Sequence, residues 1–168
     1  EFSASMLYFH HKGIVQNLIH NLKYKNHQEV GSLLGKWYAK DLETVSQIQT
    51  VSEIIPVPLH KKRLEERGYN QVTTFCEALS NELKIPYNPD LLYRSRYSKT
   101  QTKKDKENRK DIANSLFDVN FTEADHNKHF LLVDDVMTSG ATLESCAKAL
   151  LKIPNSKVSI VTIAYTLS

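Results

Sequence analysis

Apolar residues recur at helical spacing in two stretches near the start of the chain. In the first stretch, apolar positions three or four residues apart run from Ile14 to Leu22, and in the second they run from Val30 to Tyr38. This spacing places the apolar side chains on one face of each helix. A largely polar run at 23–27 separates the two stretches. The pattern therefore predicts two helices within residues 10–44.

Short apolar runs alternate with amphipathic segments after residue 50. The apolar runs predict strands near 54–57, 91–93, 130–133 and 158–165. Helical spacing recurs at about 70–84 and 140–152. The run at 130–133 contains no polar position, which is typical of a parallel strand that is buried on both faces. This alternation predicts an α/β fold in which helices wrap a parallel sheet.

Composition and length are those of one globular domain. The 168 residues are 40% hydrophobic and 24% charged, which suits a chain with a core of its own. A net charge of +3 is too small by itself to indicate nucleic-acid binding, but it suits a polyanionic ligand. No apolar run approaches the roughly 18 residues of a membrane helix, and no secretory signal is visible, so we expect a cytoplasmic protein. Cys76 and Cys146 are expected to be buried free thiols rather than a disulfide or a metal site.

The segment 131–142 carries the strongest candidate chemistry in the chain. An apolar run ends in the adjacent carboxylates Asp134 and Asp135, and a turn of small residues then opens a helix. Ligands bind at the carboxyl ends of strands in open α/β sheets, and the start of a helix favours an anion. We therefore expect a sugar phosphate, with its hydroxyls at the carboxylates and its phosphate at the turn. The alternative is a strand before a capped helix, with both acids merely solvated.

A second segment, 56–71, follows a predicted strand and concentrates positive charge. It contains Lys61, Lys62, Arg63 and Arg67, with Gly68 where the backbone must turn. Such a basic loop can bind the anionic part of a ligand. The alternative is a surface segment in which these cations pair with neighbouring glutamates.

Residues 94–110 differ from the rest of the chain. They contain eight basic residues, two acids and no apolar period. A long segment of this kind inside a compact domain is typically a functional lid or a disordered segment. We predict a flexible lid that closes over the ligand, as mobile loops do in many enzymes.

Two of these segments resemble motifs of known families. Segment 131–142 resembles the phosphoribosyl pyrophosphate (PRPP) signature of type I phosphoribosyltransferases. Segment 56–71, read as Pro-Val-Pro-Leu-x-x-x-Arg-x-x-x-Arg-Gly-Tyr-Asn-Gln, is similar to a loop of the ComF family of competence-associated, phosphoribosyltransferase-like proteins. The resemblance implies a type I phosphoribosyltransferase fold, an α/β fold with a parallel sheet of about five strands flanked by helices. It also implies a single domain over 1–168, with a small helical hood at 1–45 and a PRPP-binding core at 46–168.

The resemblance also implies a role for each matching residue. Asp134 and Asp135 would bind the ribose hydroxyls, which also coordinate Mg²⁺. The loop for the 5-phosphate would consist of Met137, Thr138, Ser139, Gly140, Ala141 and Thr142. The loop for the pyrophosphate would consist of Leu59, His60, Lys61, Arg63 and Arg67. In the basic segment, the lid residues that would reach the phosphates are Lys103, Lys104 and Arg109.

The implied function is Mg²⁺-dependent binding of PRPP or a related phosphosugar, in a protein associated with DNA uptake, with the competence machinery as a candidate partner. The alternative is a base-salvage phosphoribosyltransferase that makes a nucleotide and pyrophosphate, and no motif names the acceptor. Basic residues interleaved with Tyr93 and Tyr97 predict weak binding of single-stranded DNA. Many ComF proteins begin with a four-cysteine zinc ribbon, which a chain with two cysteines cannot form.

Overall fold

A four-stranded parallel sheet forms the centre of the fold. The computed structural model describes residues 1–8, 13–24, 28–95 and 116–166. The central strands are β1 (Ser3–Tyr8), β2 (Glu53–Pro56), β5 (His129–Met137) and β6 (Lys157–Tyr165). They lie in the order β1-β6-β5-β2, and every neighbouring pair is parallel. A separate antiparallel pair consists of β3 (Leu92–Arg94) and β4 (Phe117–Val119).

Helices cover the sheet. They are α1 (Ile14–Tyr24), α2 (Gln28–Leu42), α3 (Lys61–Arg67), α4 (Thr73–Leu83) and α5 (Ala141–Leu150), with short 3-10 helices at Ser46–Thr50 and Glu123–Asp125. The predicted α/β class, both helices near the start of the chain and the helices at 70–84 and 140–152 are thereby confirmed. Among the helices of the described residues, none is long and apolar enough to cross a membrane.

Strand β5 divides the core into two layers. Its residues 130–133 are completely buried, as expected of a strand enclosed on both faces. Leu131 and Val133 belong to a cluster that includes residues of α1, α2 and α4. Phe130 and Leu132 belong to a second cluster with residues of α5, β3 and β4. Because successive side chains of a strand point to opposite faces, one short run supports both layers.

Helix α2 packs against α4 at unusually close range. A Cβ atom at Gly35 would lie 2.6 Å from the Cβ of Ala78, and one at Gly31 would lie 2.2 Å from Thr74 Oγ1. Glycine is thus required on this face of α2. The hydroxyl of Tyr69 also donates to the Leu22 carbonyl at 2.7 Å. These contacts fasten the first two helices to the core.

Two segments differ from the sequence-based expectation. Residues 3–8, expected to lie in a helical hood, form edge strand β1, which pairs with β6. The pairing provides hydrogen bonds that the short, mixed pattern of 3–8 does not reveal. The basic segment 61–67 forms helix α3 instead of a loop.

A parallel bridge from Ile54 to Tyr87 places a fifth extended segment beside β2, in keeping with a sheet of about five strands. The division of the chain at residue 45 stays a prediction.

A buried histidine joins three segments at the opposite end of β5 from the two acids. The Nδ1 atom of His129 lies 2.8 Å from Thr50 Oγ1, and its Nε2 atom lies 2.8 Å from Ser159 Oγ. Ser159 Oγ also accepts the Phe2 N–H at 2.9 Å. Burial lowers the pKa of His129, because a charged imidazolium is poorly solvated there.

We predict that this histidine makes the protein less stable in mild acid. Since its pKa is lower in the folded than in the unfolded state, its contribution is complete above the ordinary value of about 6.5 and is lost as the pH falls below it. The slope is at most about 1.4 kcal/mol per pH unit for one proton. Urea unfolding at pH 7.5 and 5.5 should show a larger loss in the parent than in His129→Gln. The exposed His20 provides the control His20→Gln, and equal losses in all three proteins would contradict the prediction.

Candidate functional site

A cleft opens where β2 and β5 separate. The last residue pair between them is Pro56 with Val133, and the Val57 N–H still donates to the Val133 carbonyl at 2.8 Å. Beyond this point β5 continues beside β6 alone, with Asp134 paired to Thr162. The acids therefore lie in the carboxyl-terminal part of the central strand, at an edge where α/β sheets bind ligands.

The cleft has a volume of about 450 Å³ and carries both signs of charge. It is lined by Val57, Pro58, Leu59, His60, Arg63, Gln71, Arg94, Asp134, Asp135 and Thr142. Segments distant in the sequence thus meet here: the residues after β2, the end of β3, the end of β5 and the start of α5. Such a site suits a ligand that has hydroxyl groups at one end and negative charge at the other.

The turn between β5 and α5 forms a smaller cavity beside the cleft. Residues 136–143 and Asp134 line its volume of about 40 Å³. Gly140 begins α5 with φ of +76°, a backbone conformation that glycine adopts readily. As the N-cap, glycine has no side-chain acceptor for the N–H groups of the first helical turn. An anion can therefore accept hydrogen bonds from these N–H groups. The two cavities share Asp134 and Thr142, so one extended ligand can occupy both.

The two acids differ in their surroundings. Asp134 is half-buried, and its Oδ1 accepts the Asp135 N–H at 2.8 Å. Asp135 is only 5% exposed. Its Oδ1 accepts the Val136 N–H at 2.7 Å, and its Oδ2 accepts Gln71 Nε2 at 3.1 Å. Asp134 is therefore the acid more open to the cleft, while Asp135 is held by fixed donors.

Helix α3 presents only part of its positive charge to the cleft. His60 caps the helix, with its Nδ1 accepting the Lys62 N–H at 3.2 Å. His60 and Arg63 line the cleft. Lys61 lies 3.5 Å from Glu65 on the exposed side, which is the pairing with glutamate considered as the alternative for this segment. Arg67 donates to Gln71 at 2.8 Å and does not line the cleft.

Two lining residues were not assigned to the site from the sequence. Arg94 appeared only as part of the basic run, but strand β3 brings it into the cleft, with its guanidinium 5.3 Å from the centre of the Phe117 ring. Gln71 appeared only as the last residue of its motif. Tertiary contacts bring both into the cleft, so local pattern gave no signal for either.

Three further features concern the predicted lid, the two cysteines and metal binding. The predicted lid residues Lys103, Lys104 and Arg109 lie outside the described residues. Cys76 and Cys146 are buried free thiols, as expected, and burial raises the pKa of each. Within 1–8, 13–24, 28–95 and 116–166, no three His, Cys, Asp or Glu side chains are grouped to hold a metal ion by themselves.

We predict that Asp135→Asn destabilises the fold more than Asp134→Asn. The new amide would point a donor at Gln71 Nε2, which is itself a donor, and the unmet hydrogen bond should cost about 1–3 kcal/mol. Asp134 is less buried and has more room to adjust. The free energy of unfolding in urea measures both variants, and an equal or larger loss in Asp134→Asn would contradict this arrangement.

Comparison with known proteins gives a consistent family assignment. The family model described as "Phosphoribosyl transferase domain" matches residues 73–168. "DNA utilization protein YhgH" of Shigella flexneri is 29% identical over 153 residues, which are 89% of this chain and 66% of that protein. "Competence protein F" of Haemophilus influenzae is 28% identical over 147 residues, 85% of this chain and 64% of that protein. The chain thus spans about two thirds of these relatives, and their names confirm the resemblance to the ComF family.

A solved structure supports the fold assignment. Glutamine PRPP amidotransferase from B. subtilis, complexed with ADP and GMP, superposes with a TM-score of 0.56 at 15% identity. The match covers 86% of this chain and 30% of that protein. At this identity the likeness concerns the fold alone. Together with the family model, it confirms the expected type I phosphoribosyltransferase fold.

Proposed function

The chain belongs to the phosphoribosyl transferase domain family, and from this premise we propose that its cleft binds PRPP together with Mg²⁺. The observation that carries the proposal is the junction of two cavities at Asp134 and Thr142. One cavity is a turn suited to a terminal phosphate. The other is a wider cleft whose lining includes both carboxylates together with Arg63 and Arg94. PRPP has the matching order of groups, since its ribose joins a 5-phosphate to a pyrophosphate.

Each part of the cleft has a chemical role in this proposal. The N–H groups at the start of α5 bind the 5-phosphate, because the helix dipole and the N–H donors of a first helical turn both favour an anion. Asp134 and Asp135 accept hydrogen bonds from the ribose hydroxyls. Arg63 and Arg94 face the pyrophosphate, where a guanidinium can form paired hydrogen bonds to phosphate oxygens. The ligand is thereby held at three points.

The donor atoms in the cleft also fit Mg²⁺. This ion prefers oxygen ligands and is usually bound by one or two carboxylates together with substrate phosphates and water. Asp134 and Asp135 supply the carboxylates, and no group of three protein ligands is needed. When bound, Mg²⁺ would neutralise charge on the departing pyrophosphate. The chain's own residues position the ribose and the phosphates for departure of the pyrophosphate from C1.

We place this PRPP-binding activity in DNA uptake rather than in base salvage. The support is the pair of relatives named for competence and DNA utilization, together with the ComF-like motif at 56–71. The acceptor of any transferred phosphoribosyl group is not specified by the described residues. Turnover of a common purine or pyrimidine base with PRPP would favour the salvage alternative.

We predict that Mg²⁺-PRPP stabilises the protein and that the acids are required. At 100 times its dissociation constant, a ligand that binds only the folded state adds about 2.7 kcal/mol, or roughly 5–10 °C in melting temperature for a chain of this size. Changing both Asp134 and Asp135 to Asn should abolish most of this shift, because the charge that binds the hydroxyls and Mg²⁺ is lost.

Thermal unfolding with and without Mg²⁺-PRPP measures the effect. The matched control changes Asp41 to Asn and Glu43 to Gln, because it removes the same two charges from exposed positions at the end of α2 and just after it. A double variant of Asp134 and Asp135 that gains as much melting temperature as the parent would show that the ligand binds elsewhere.

We also predict that this domain binds single-stranded DNA weakly. Tyr93 is 44% exposed beside Arg94 and can stack on a base. A net charge of +3 neutralises few phosphates, so binding should depend steeply on salt. Fluorescence anisotropy with a labelled oligonucleotide should show binding at about 20 mM salt that is lost near 150 mM. Tight binding that is insensitive to salt would make DNA, rather than PRPP, the principal ligand.

A further inference from the structure

We propose that Gln71 is a positioning residue, which holds the Asp135 carboxylate in the orientation that the ribose hydroxyls require. This inference rests on the proposed function of the cleft. Gln71 accepts a hydrogen bond from Arg67 Nη1 at its Oε1, at 2.8 Å, and donates from Nε2 to Asp135 Oδ2 at 3.1 Å. It thereby links the end of α3 to the acid pair on β5.

The chemistry of the three side chains makes glutamine the fitting link. A guanidinium only donates hydrogen bonds and an ionised carboxylate only accepts them. A primary amide has one end of each kind, so Arg67 fixes which end faces Asp135. A glutamate at position 71 would place an acceptor against an acceptor, and a methionine would make neither bond. Gln71 and Asp135 are 6% and 5% exposed, so water cannot readily replace a missing partner.

Gln71 is itself anchored at the edge of the cleft. The preceding residue, Asn70, donates from Nδ2 to the Val57 carbonyl at 3.0 Å. Its Oδ1 accepts the Val72 N–H at 3.3 Å. The backbone on both sides of Gln71 is thus tied to the end of β2, the strand next to β5. The amide therefore reaches Asp135 from a fixed point.

Two donors on different oxygens fix the plane of the Asp135 carboxylate. The Val136 N–H binds Oδ1 and Gln71 binds Oδ2, so the carboxylate cannot rotate without weakening one of these hydrogen bonds. A carboxylate oriented in this way loses less conformational freedom when it accepts a hydrogen bond from a ligand hydroxyl. Partners that orient a metal-ligating side chain, the role proposed here for Asp135 with Mg²⁺, typically contribute about 10–100-fold to affinity or activity.

The test is a double-mutant cycle on ligand affinity. Isothermal titration should show that Gln71→Met binds Mg²⁺-PRPP at least about tenfold more weakly than the parent. In an Asp135→Asn background the same change should weaken binding by no more than about twofold, because the carboxylate that Gln71 orients is no longer there. Gln49→Met is the matched control at an exposed position in a separate cleft beside Ile48, and it should bind like the parent.

A second substitution keeps the test decisive if Gln71→Met does not fold. Gln71→Glu retains the size of the side chain and the bond to Arg67, and it changes only the donor that faces Asp135. In the parent, Gln71→Glu should weaken binding at least about tenfold. In the Asp135→Asn background the same change should cause no such loss, since the amide introduced at position 135 can donate to the introduced carboxylate. A side chain that only fills space would show the same loss in both backgrounds.

The outcomes separate this inference from the proposed function. If the parent does not bind Mg²⁺-PRPP, the proposed function is wrong and the positioning role is wrong with it. If the parent binds but Gln71 variants bind within twofold of it, only the positioning role is wrong. The positioning role alone is also wrong if the Gln71 variants lose the same factor in affinity with Asp135 and with Asn at position 135.

Discussion

Burial of β5 on both of its faces is the constraint on which the rest of the structure depends. Leu131 and Val133 pack into one layer of the core, and Phe130 and Leu132 into the other. An enclosed strand has no place for an unpaired carboxylate along this length. Polar chemistry can begin only where β2 leaves the sheet, after the pairing of Pro56 with Val133. The position of the acids thus follows from the packing of the strand that carries them.

Part of the site comes from segments outside the central sheet. Helix α3 has no buried residue and is tied to the acid pair through the bridge from Arg67 to Gln71 to Asp135. Arg94 comes from a two-stranded ribbon whose Phe117 packs into the second core layer. The turn between β5 and α5 depends on Gly140, which adopts a positive φ before the helix begins. Because each part is anchored to β2, β5 or α5, a ligand of the proposed site would meet groups that are already in position, which lowers the cost of binding.

The sequence predicted those features that a local pattern determines. The apolar run before Asp134 and Asp135 identified the central strand, and helical spacing identified four of the five described helices. Strand β1 was missed because its stability comes from pairing with β6. Helix α3 was missed because a charged segment without an apolar face looks like a loop, whereas its His60 cap and lysine–glutamate pairs support a helical turn. The bridging role of Gln71 was missed because it depends on contacts 64 residues apart.

The most direct test of the proposed site is a crystal structure of the protein with Mg²⁺-PRPP. We expect a single ligand in the joined cavities, with its 5-phosphate at the N–H groups of residues 138–142. Its ribose hydroxyls should lie within hydrogen-bond distance of Asp134 and Asp135, and its pyrophosphate should face Arg63 and Arg94. Density for PRPP in the separate cleft beside Ile48 and Ile85, with the cavities at Asp134 empty, would contradict this expectation.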